Sequence, residues 1–113
     1  MLGNLSVQEL ENRIYQKDEM IIVDTRQPAF YEEHHIPGAI NIPFGFEMPQ
    51  EAYSLPKEQE IIVCCYIGLS SKAFAFMLGE AGYEKVLNLT GGYMAWRREI
   101  EGDIDYTFSL GED

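Results

Sequence analysis

The two cysteines of this chain, Cys64 and Cys65, stand side by side between an apolar run and a glycine-containing loop. The surrounding stretch is IIVCCYIGLSSKAFAF, residues 61–76. A cysteine between a buried strand and a helix is a candidate nucleophile, because loop and helix N–H groups can point at its sulfur and favour the thiolate. Adjacent cysteines cannot form an unstrained disulfide, so the pair indicates thiol chemistry or packing.

The two cysteines are expected to differ in role, because successive side chains of a strand point to opposite faces. Cys64 continues the apolar run and is predicted to be a buried small hydrophobic residue. Cys65 is the first loop residue, and we interpret it as the nucleophile. The alternative is that both cysteines only pack in the core. It is disfavoured because Gly68 and the following helix make the loop suitable for holding an anion.

The loop after Cys65 and the first helical turn form the predicted sulfur-binding site. Their N–H groups and the positive end of the helix dipole would stabilise a sulfur anion. No histidine is then needed as a base, and His34 and His35 are placed on another loop. One of Ser70 and Ser71 is expected to cap the helix, and the other to donate to bound substrate. The predicted binding residues are Tyr66, Ile67, Gly68, Leu69, Ser70, Ser71 and Lys72.

Length and charge limit the possible classes of function. The 113 residues suit a single domain over 1–113. A net charge of −11 argues against binding nucleic acid or an anionic membrane. No apolar run approaches the ~18 residues of a membrane span, and we expect a cytoplasmic protein. The cysteine pair and His34–His35 lack the spacing of a zinc site, so no metal or cofactor is predicted.

The hydrophobic pattern predicts alternating strands and helices after an initial helix. Predicted helices span 7–16, 28–34, 71–80 and 92–99, and predicted strands span 20–24, 38–42, 61–64 and 85–89, with a short amphipathic piece near 47–54. Such alternation indicates an α/β fold with a parallel sheet and helices on both faces. Ligands of these folds gather at the carboxyl ends of the strands, where Asp24 and Cys65 are predicted to lie.

Three segments, in this order, resemble the signatures of the rhodanese family. They are IIVDTRQPAFYEEHHIPGAINIP (residues 21–43), CYIGLSS (65–71) and AGYEKVLNLTGGYMAW (81–96). The matching residues within them include Asp24, Arg26, residues 35–39, Gly91, Gly92 and Trp96. The resemblance covers about residues 5–100 and leaves an acidic tail over 101–113. It implies one rhodanese-like domain, with a five-stranded parallel sheet flanked by helices on both faces.

The resemblance also implies sulfurtransferase chemistry through a persulfide on Cys65. The sulfane sulfur would come from thiosulfate and pass to a thiophilic acceptor, either cyanide or a cellular thiol. The implied partners are these small molecules and a thioredoxin-like or other protein acceptor. The alternative function is a persulfide relay or carrier module that a protein partner, rather than thiosulfate, supplies with sulfur.

One position departs from the common family pattern C-x-x-G-x-R-S. Ser70 stands where many rhodaneses have arginine, and in this the loop is similar to the single-domain thiosulfate sulfurtransferases of the bacterial glycerol-metabolism operon. Loss of a bidentate anion donor predicts a high Michaelis constant for thiosulfate, with Lys72 as a mobile substitute cation. A cysteine phosphatase or arsenate reductase would need arginine six residues after the cysteine. Ser71 stands there after Cys65, so this function is disfavoured.

Four residues outside the loop are predicted to be structural. Asp24 and Arg26 are expected to form an ion pair or to brace a loop at a buried strand end. His35 is expected to bond backbone groups in a turn. Trp96 is expected in the core, with a partner for its indole N–H.

Overall fold

A computed structural model of the protein describes residues 2–103, and its centre is a five-stranded parallel sheet. The strands are β1 (Gly3–Leu5), β2 (Ile21–Asp24), β3 (Ile40–Asn41), β4 (Ile61–Cys64) and β5 (Val86–Leu89). Their spatial order is β1-β5-β4-β2-β3, and every neighbouring pair is parallel. The predicted α/β fold is therefore confirmed, with β4 as the central strand.

Helices lie between successive strands and after the last one, and two of them begin at a signal in the sequence. They are α1 (Val7–Tyr15), α2 (Pro28–Glu33), α3 (Ser70–Glu80) and α4 (Gly92–Ala95), which continues as a π-helical turn over Trp96–Ile100. A capping box between Ser6 and Glu9 starts α1. Pro28 starts α2 at its first turn, where a missing N–H costs nothing. A short 3₁₀ helix spans Gln50–Ser54.

Two apolar clusters fill the two faces of the sheet, because alternate residues of β4 face opposite ways. Ile62 and Cys64 belong to the cluster that includes residues of α1 and α4. Ile61 and Val63 belong to the cluster that includes residues of α3. All four side chains are buried, as expected for a strand covered on both faces. Because the strand is held in this way, the position of Cys65, the next residue, is fixed at its end.

The structure corrects the predicted elements in three places. Strand β1 precedes α1 and pairs with β5, although the pattern predicted that a helix came first. The strand predicted over 38–42 is only Ile40–Asn41, and the helix predicted over 92–99 divides into α4 and the π-helical turn. The amphipathic piece near 47–54 contains the 3₁₀ helix. Of the predicted acidic tail, residues 104–113 lie outside the described residues. Within residues 2–103, no helix is long and apolar enough to cross a membrane.

Candidate active site

Strand β4 delivers Cys65 to the carboxyl edge of the sheet, directly before the loop that leads to α3. The side chain of Cys65 is buried, with 1% of the residue exposed. Gly68 has a φ of +94°, in the left-handed region that other residues adopt only with strain. This glycine lets the chain turn within a few residues and enter α3 at Ser70. The loop therefore folds back over the cysteine that starts it.

The sulfur of Cys65 makes hydrogen bonds with Gly68 and with Ser71. The Gly68 N–H donates to Sγ at 3.1 Å, and the Ser71 N–H donates to it at 3.3 Å. The thiol in turn donates to the Ser71 hydroxyl oxygen at 3.1 Å. Because Ser71 belongs to the first turn of α3, the sulfur also lies at the positive end of a helix of 11 residues. The two N–H groups and the helix end are the features of this site that would stabilise a negative charge on the sulfur.

The expected serine cap of α3 is absent, and this prediction was wrong. Leu69 occupies the N-cap position and makes no side-chain capping bond. The Ser71 N–H, one of the donors that a capping side chain would accept, bonds to the Cys65 sulfur instead. Ser70 and Ser71 both lie inside the helix. The cysteine therefore replaces the capping side chain, and Ser71 is the serine that contacts the sulfur.

Asn88 on β5 also belongs to this site, and the sequence did not indicate it. The residue is 1% exposed. Its Oδ1 accepts a hydrogen bond from the Ser71 hydroxyl, and its Nδ2 donates to the Gly68 carbonyl at 3.2 Å. The one available signal was an amide inside the apolar strand VLNL. Buried amides need partners, so such a residue marks a polar cluster.

The start of α4 packs against the backbone of the cysteine loop. The Tyr93 N–H donates to the Cys65 carbonyl and the Met94 N–H donates to the Tyr66 carbonyl, both at 2.8 Å. Gly92 has a φ of +60°, and a Cβ added to it would lie 2.5 Å from the Cys65 carbonyl oxygen. This approach therefore requires glycine at Gly92, the second residue of the Gly91–Gly92 pair.

Cys64 faces the other side of the sheet and is buried, as predicted. Burial raises the pKa of its thiol well above the usual range, and the nearby Asp24 carboxylate raises it further. Since a thiol with a raised pKa stays protonated, Cys64 is unsuited to act as a nucleophile near neutral pH. The structure thus gives the two adjacent cysteines different chemical environments.

Asp24 and Arg26 form a buried ion pair that braces the loop after β2. The guanidinium Nη2 lies 2.8 Å from Oδ2 of Asp24 and donates to the His34 carbonyl at 2.7 Å. The Arg26 guanidinium also stacks over the Tyr93 ring at 3.7 Å. Because the Tyr93 N–H donates to the Cys65 carbonyl, the ion pair contacts the site through Tyr93. The predicted structural role of the pair agrees with these contacts.

The histidines and the tryptophan have partners away from the sulfur. His35 bonds the Tyr31 carbonyl through Nδ1 at 2.8 Å, which is the turn contact that the sequence predicted. His34 Nδ1 bonds the Tyr93 hydroxyl at 2.9 Å. Trp96 is buried, and its indole N–H donates to Glu101 at 2.9 Å, as expected of a core tryptophan.

The remaining predicted binding residues differ in exposure. Leu69 and Lys72 are exposed, whereas Ile67 and Tyr66 are partly buried. The Tyr66 ring packs against the α1 and α4 cluster and lies 6.4 Å from the Tyr93 ring. The role of Tyr66 as a binding residue stays a prediction. Among residues 2–103, no three histidine, cysteine or acidic side chains group as metal ligands.

A central parallel strand that ends at a buried cysteine, with helix and loop N–H groups directed at the sulfur, defines a thiol-bearing α/β domain. Comparison with known families agrees with this class. The rhodanese-like domain family matches residues 6–99. The chain belongs to this family, and thereby to the rhodanese-like sulfurtransferases.

The names of similar proteins refer either to sulfur transfer or to sulfur carriage. The chain is 35% identical to the thiosulfate sulfurtransferase GlpE of Pseudoalteromonas translucida, over 81% of this chain and 87% of that protein. It is 31% identical to a sulfurtransferase of Allochromatium vinosum, over 87% of this chain and 91% of that protein. It is 30% identical to the putative sulfur carrier protein YrkF of Bacillus subtilis, over 88% of this chain but only 54% of that protein.

A solved structure agrees with the fold. The crystal structure of a rhodanese-like domain protein from Staphylococcus aureus is 26% identical, with a TM-score of 0.74. The alignment covers 84% of this chain and 91% of that one. The predicted rhodanese-like fold is therefore confirmed by both sequence and structure comparisons.

Proposed function

We propose that this protein is a thiosulfate sulfurtransferase that transfers a sulfane sulfur through a persulfide on Cys65. The observation that supports this most directly is the sulfur site itself. The N–H groups of Gly68 and Ser71 both donate to Sγ at the positive end of α3. The relatives named thiosulfate sulfurtransferase support thiosulfate as the donor.

In the first half-reaction, the Cys65 thiolate attacks the outer sulfur of thiosulfate. A new S–S bond forms to Cys65 while the S–S bond of thiosulfate breaks, and its electron pair leaves with sulfite. The product is a persulfide anion on Cys65. The loop N–H groups bond the inner sulfur, Sγ, in the resting protein, and we expect them to stabilise the anionic persulfide beside them, since charge-assisted hydrogen bonds are the stronger kind.

In the second half-reaction, a thiophile attacks the terminal sulfur of the persulfide. Cyanide would leave as thiocyanate, and a cellular thiol would leave as its own persulfide. In both cases the electron pair of the broken S–S bond returns to Cys65 as thiolate. Because a covalent intermediate separates the two steps, the expected kinetics are ping-pong. We propose that the cellular acceptor is a low-molecular thiol or a thioredoxin-like protein of the cytoplasm.

The test is the intact mass of the reduced protein before thiosulfate, after thiosulfate, and after cyanide. The expected result is a gain of one sulfur atom that cyanide removes. Cys65→Ser should abolish the gain. Cys64→Ser is the matched control and should retain it, because Cys64 faces the opposite side of the sheet. A gain that depends on Cys64, or a sequential kinetic pattern, would contradict the mechanism.

A persulfide relay supplied by a protein partner is the second candidate. The net charge of −11 disfavours approach of a small dianion, and Leu69 exposes an apolar side chain on the loop itself. The relative named as a putative sulfur carrier favours the same function. If thiosulfate adds no sulfur while Cys65 still reacts with iodoacetamide, the relay replaces thiosulfate transfer as the function.

A further inference from the structure

We infer that Asn88 is a positioning residue of the sulfur site, because its amide bridges Gly68 and Ser71, whose N–H groups point at the Cys65 sulfur. The same two residues offer their other polar groups, a carbonyl and a hydroxyl, to Asn88. The relevance of this bridge to sulfur transfer rests on the function proposed above.

Asn88 occupies a position that the fold would ordinarily give to an apolar side chain. It is two residues after Val86 on β5, so both face α3. Val86 packs against the apolar cluster on that face, and Val63, which pairs with Asn88 across the sheet, belongs to it. An amide placed there without partners would be destabilising. Its presence therefore calls for an explanation in terms of the groups that it bonds.

The direction of the amide is fixed by its partners. A carbonyl can only accept, so the Gly68 carbonyl requires the amide nitrogen on its side. The oxygen of the amide then faces Ser71, whose hydroxyl must donate to it. With its proton directed at Asn88, the Ser71 oxygen presents lone pairs to the Cys65 thiol, which agrees with the thiol acting as donor.

The bridge restrains the two parts of the chain that hold the sulfur. Gly68 has no side chain of its own to restrain it and adopts a φ of +94°. Asn88 bonds its carbonyl from β5, a strand held in the middle of the sheet between β1 and β4. The second bond holds the first turn of α3 through Ser71. The N–H groups of Gly68 and Ser71 are thereby held within hydrogen-bonding distance of the Cys65 Sγ.

The test is the pH dependence of Cys65 alkylation by iodoacetamide, with the modified residue located by peptide mass. Asn88→Val removes both hydrogen bonds and suits a buried strand. We expect the alkylation midpoint to rise by about 0.5–1 pH unit, because N–H bonds that favour the sulfur anion lose alignment. We also expect up to about a tenfold fall in kcat/KM for thiosulfate, because the transition state for attack by the anionic sulfur depends on the same N–H bonds.

Two further variants separate positioning from stability. Val86→Ala lies on the same strand and face and should lower the melting temperature without moving the alkylation midpoint. In a Ser71→Ala background, Asn88→Val should shift the midpoint less than it does alone, because one of its two contacts is already missing. A purely structural Asn88 would lower stability and leave the midpoint unchanged.

The remaining outcomes also decide the question. An unchanged alkylation midpoint in folded Asn88→Val overturns the inference. A lowered midpoint also overturns it, because the Ser71 hydroxyl, released from Asn88, would then donate to the Cys65 sulfur and favour its anion. If this variant does not fold, Asn88→Thr, which keeps a hydroxyl on a β-branched side chain, is judged by the same criterion. If neither folds, Asn88 serves folding and the inference is overturned. Alkylation needs no sulfur donor, so a failure of thiosulfate to load Cys65 tests only the proposed function.

Discussion

Gly92 lies directly against the backbone of Cys65, at a distance that leaves no room for a side chain. A Cβ on Gly92 would be 2.5 Å from the Cys65 carbonyl oxygen and 2.8 Å from the Gly68 nitrogen. The adjacent Tyr93 N–H donates to the same carbonyl. The cysteine loop is thus held by a segment more than twenty residues later in the chain. Two of the three rhodanese-like segments meet at this contact.

Gly92→Ala is expected to displace the loop and to reduce sulfur loading of Cys65 by at least about tenfold. The φ of +60° alone costs a residue with a Cβ about 1–2 kcal/mol, and the backbone clash adds to it. Gly79→Ala is the matched control, since a Cβ there meets nothing within 4 Å. It should raise the unfolding free energy by up to about 1 kcal/mol, because alanine favours helix. Equal loading in both variants would contradict the proposed contact.

Breaking the Asp24–Arg26 pair is expected to be strongly destabilising. Arg26→Met leaves a buried carboxylate without its cation, which typically costs about 3–5 kcal/mol. Denaturant titration measures the loss. The double variant Asp24→Asn with Arg26→Met removes both charges and should recover part of it. If the double variant loses as much unfolding free energy as Arg26→Met and Asp24→Asn lose together, the two residues are not coupled.

Thiosulfate is expected to bind weakly, with a Michaelis constant well above the low micromolar range. Ser70 offers no charge at the position where many rhodaneses have arginine, and Lys72 is exposed. Lys72→Ala should therefore lower kcat/KM only a few-fold, an effect that salt weakens. Ser70→Arg should lower the Michaelis constant, because a bidentate donor favours the dianion. Steady-state rates at several thiosulfate concentrations and salt levels check both variants.

The elements with strong local signals could be predicted from the sequence. The capping box at Ser6 and Glu9 located α1, and the apolar run 61–64 located β4, because these signals involve neighbouring residues. Strand β1 was missed because it has three residues, of which only Leu5 is buried. Such a strand exists through its pairing with β5, a contact that no local pattern records.

The candidate site was predictable only where the chain is contiguous. Cys65 and its loop follow from a strand, a glycine and a helix in direct succession. Asn88 and Gly92 reach the site through the fold, so their partners could not be read from neighbouring residues. The serine cap was predicted wrongly because the Cys65 sulfur accepts the Ser71 N–H, one of the helix N–H groups that a capping hydroxyl would otherwise bond.

Cys64 is expected to make folding stability decrease at alkaline pH. Burial, together with the Asp24 carboxylate, raises the pKa of its thiol in the folded protein above the ordinary value of 9.0. Above that value the unfolded chain releases the proton while the folded chain retains it. Deprotonation therefore favours unfolding, and the contribution is fully present below about pH 9 and is lost as pH rises toward the folded-state pKa.

The comparison of wild type with Cys64→Ala isolates this effect, since every other titratable group is common to the two proteins. Cys64→Ala should be less stable at neutral pH, because it leaves a cavity beside the α1 and α4 cluster. Above pH 9 the difference should shrink by up to about 1.4 kcal/mol per pH unit, the slope for one proton. Urea titrations at pH 7, 9 and 10 measure it. Parallel stability curves would show that the Cys64 thiol titrates alike in the folded and unfolded chains.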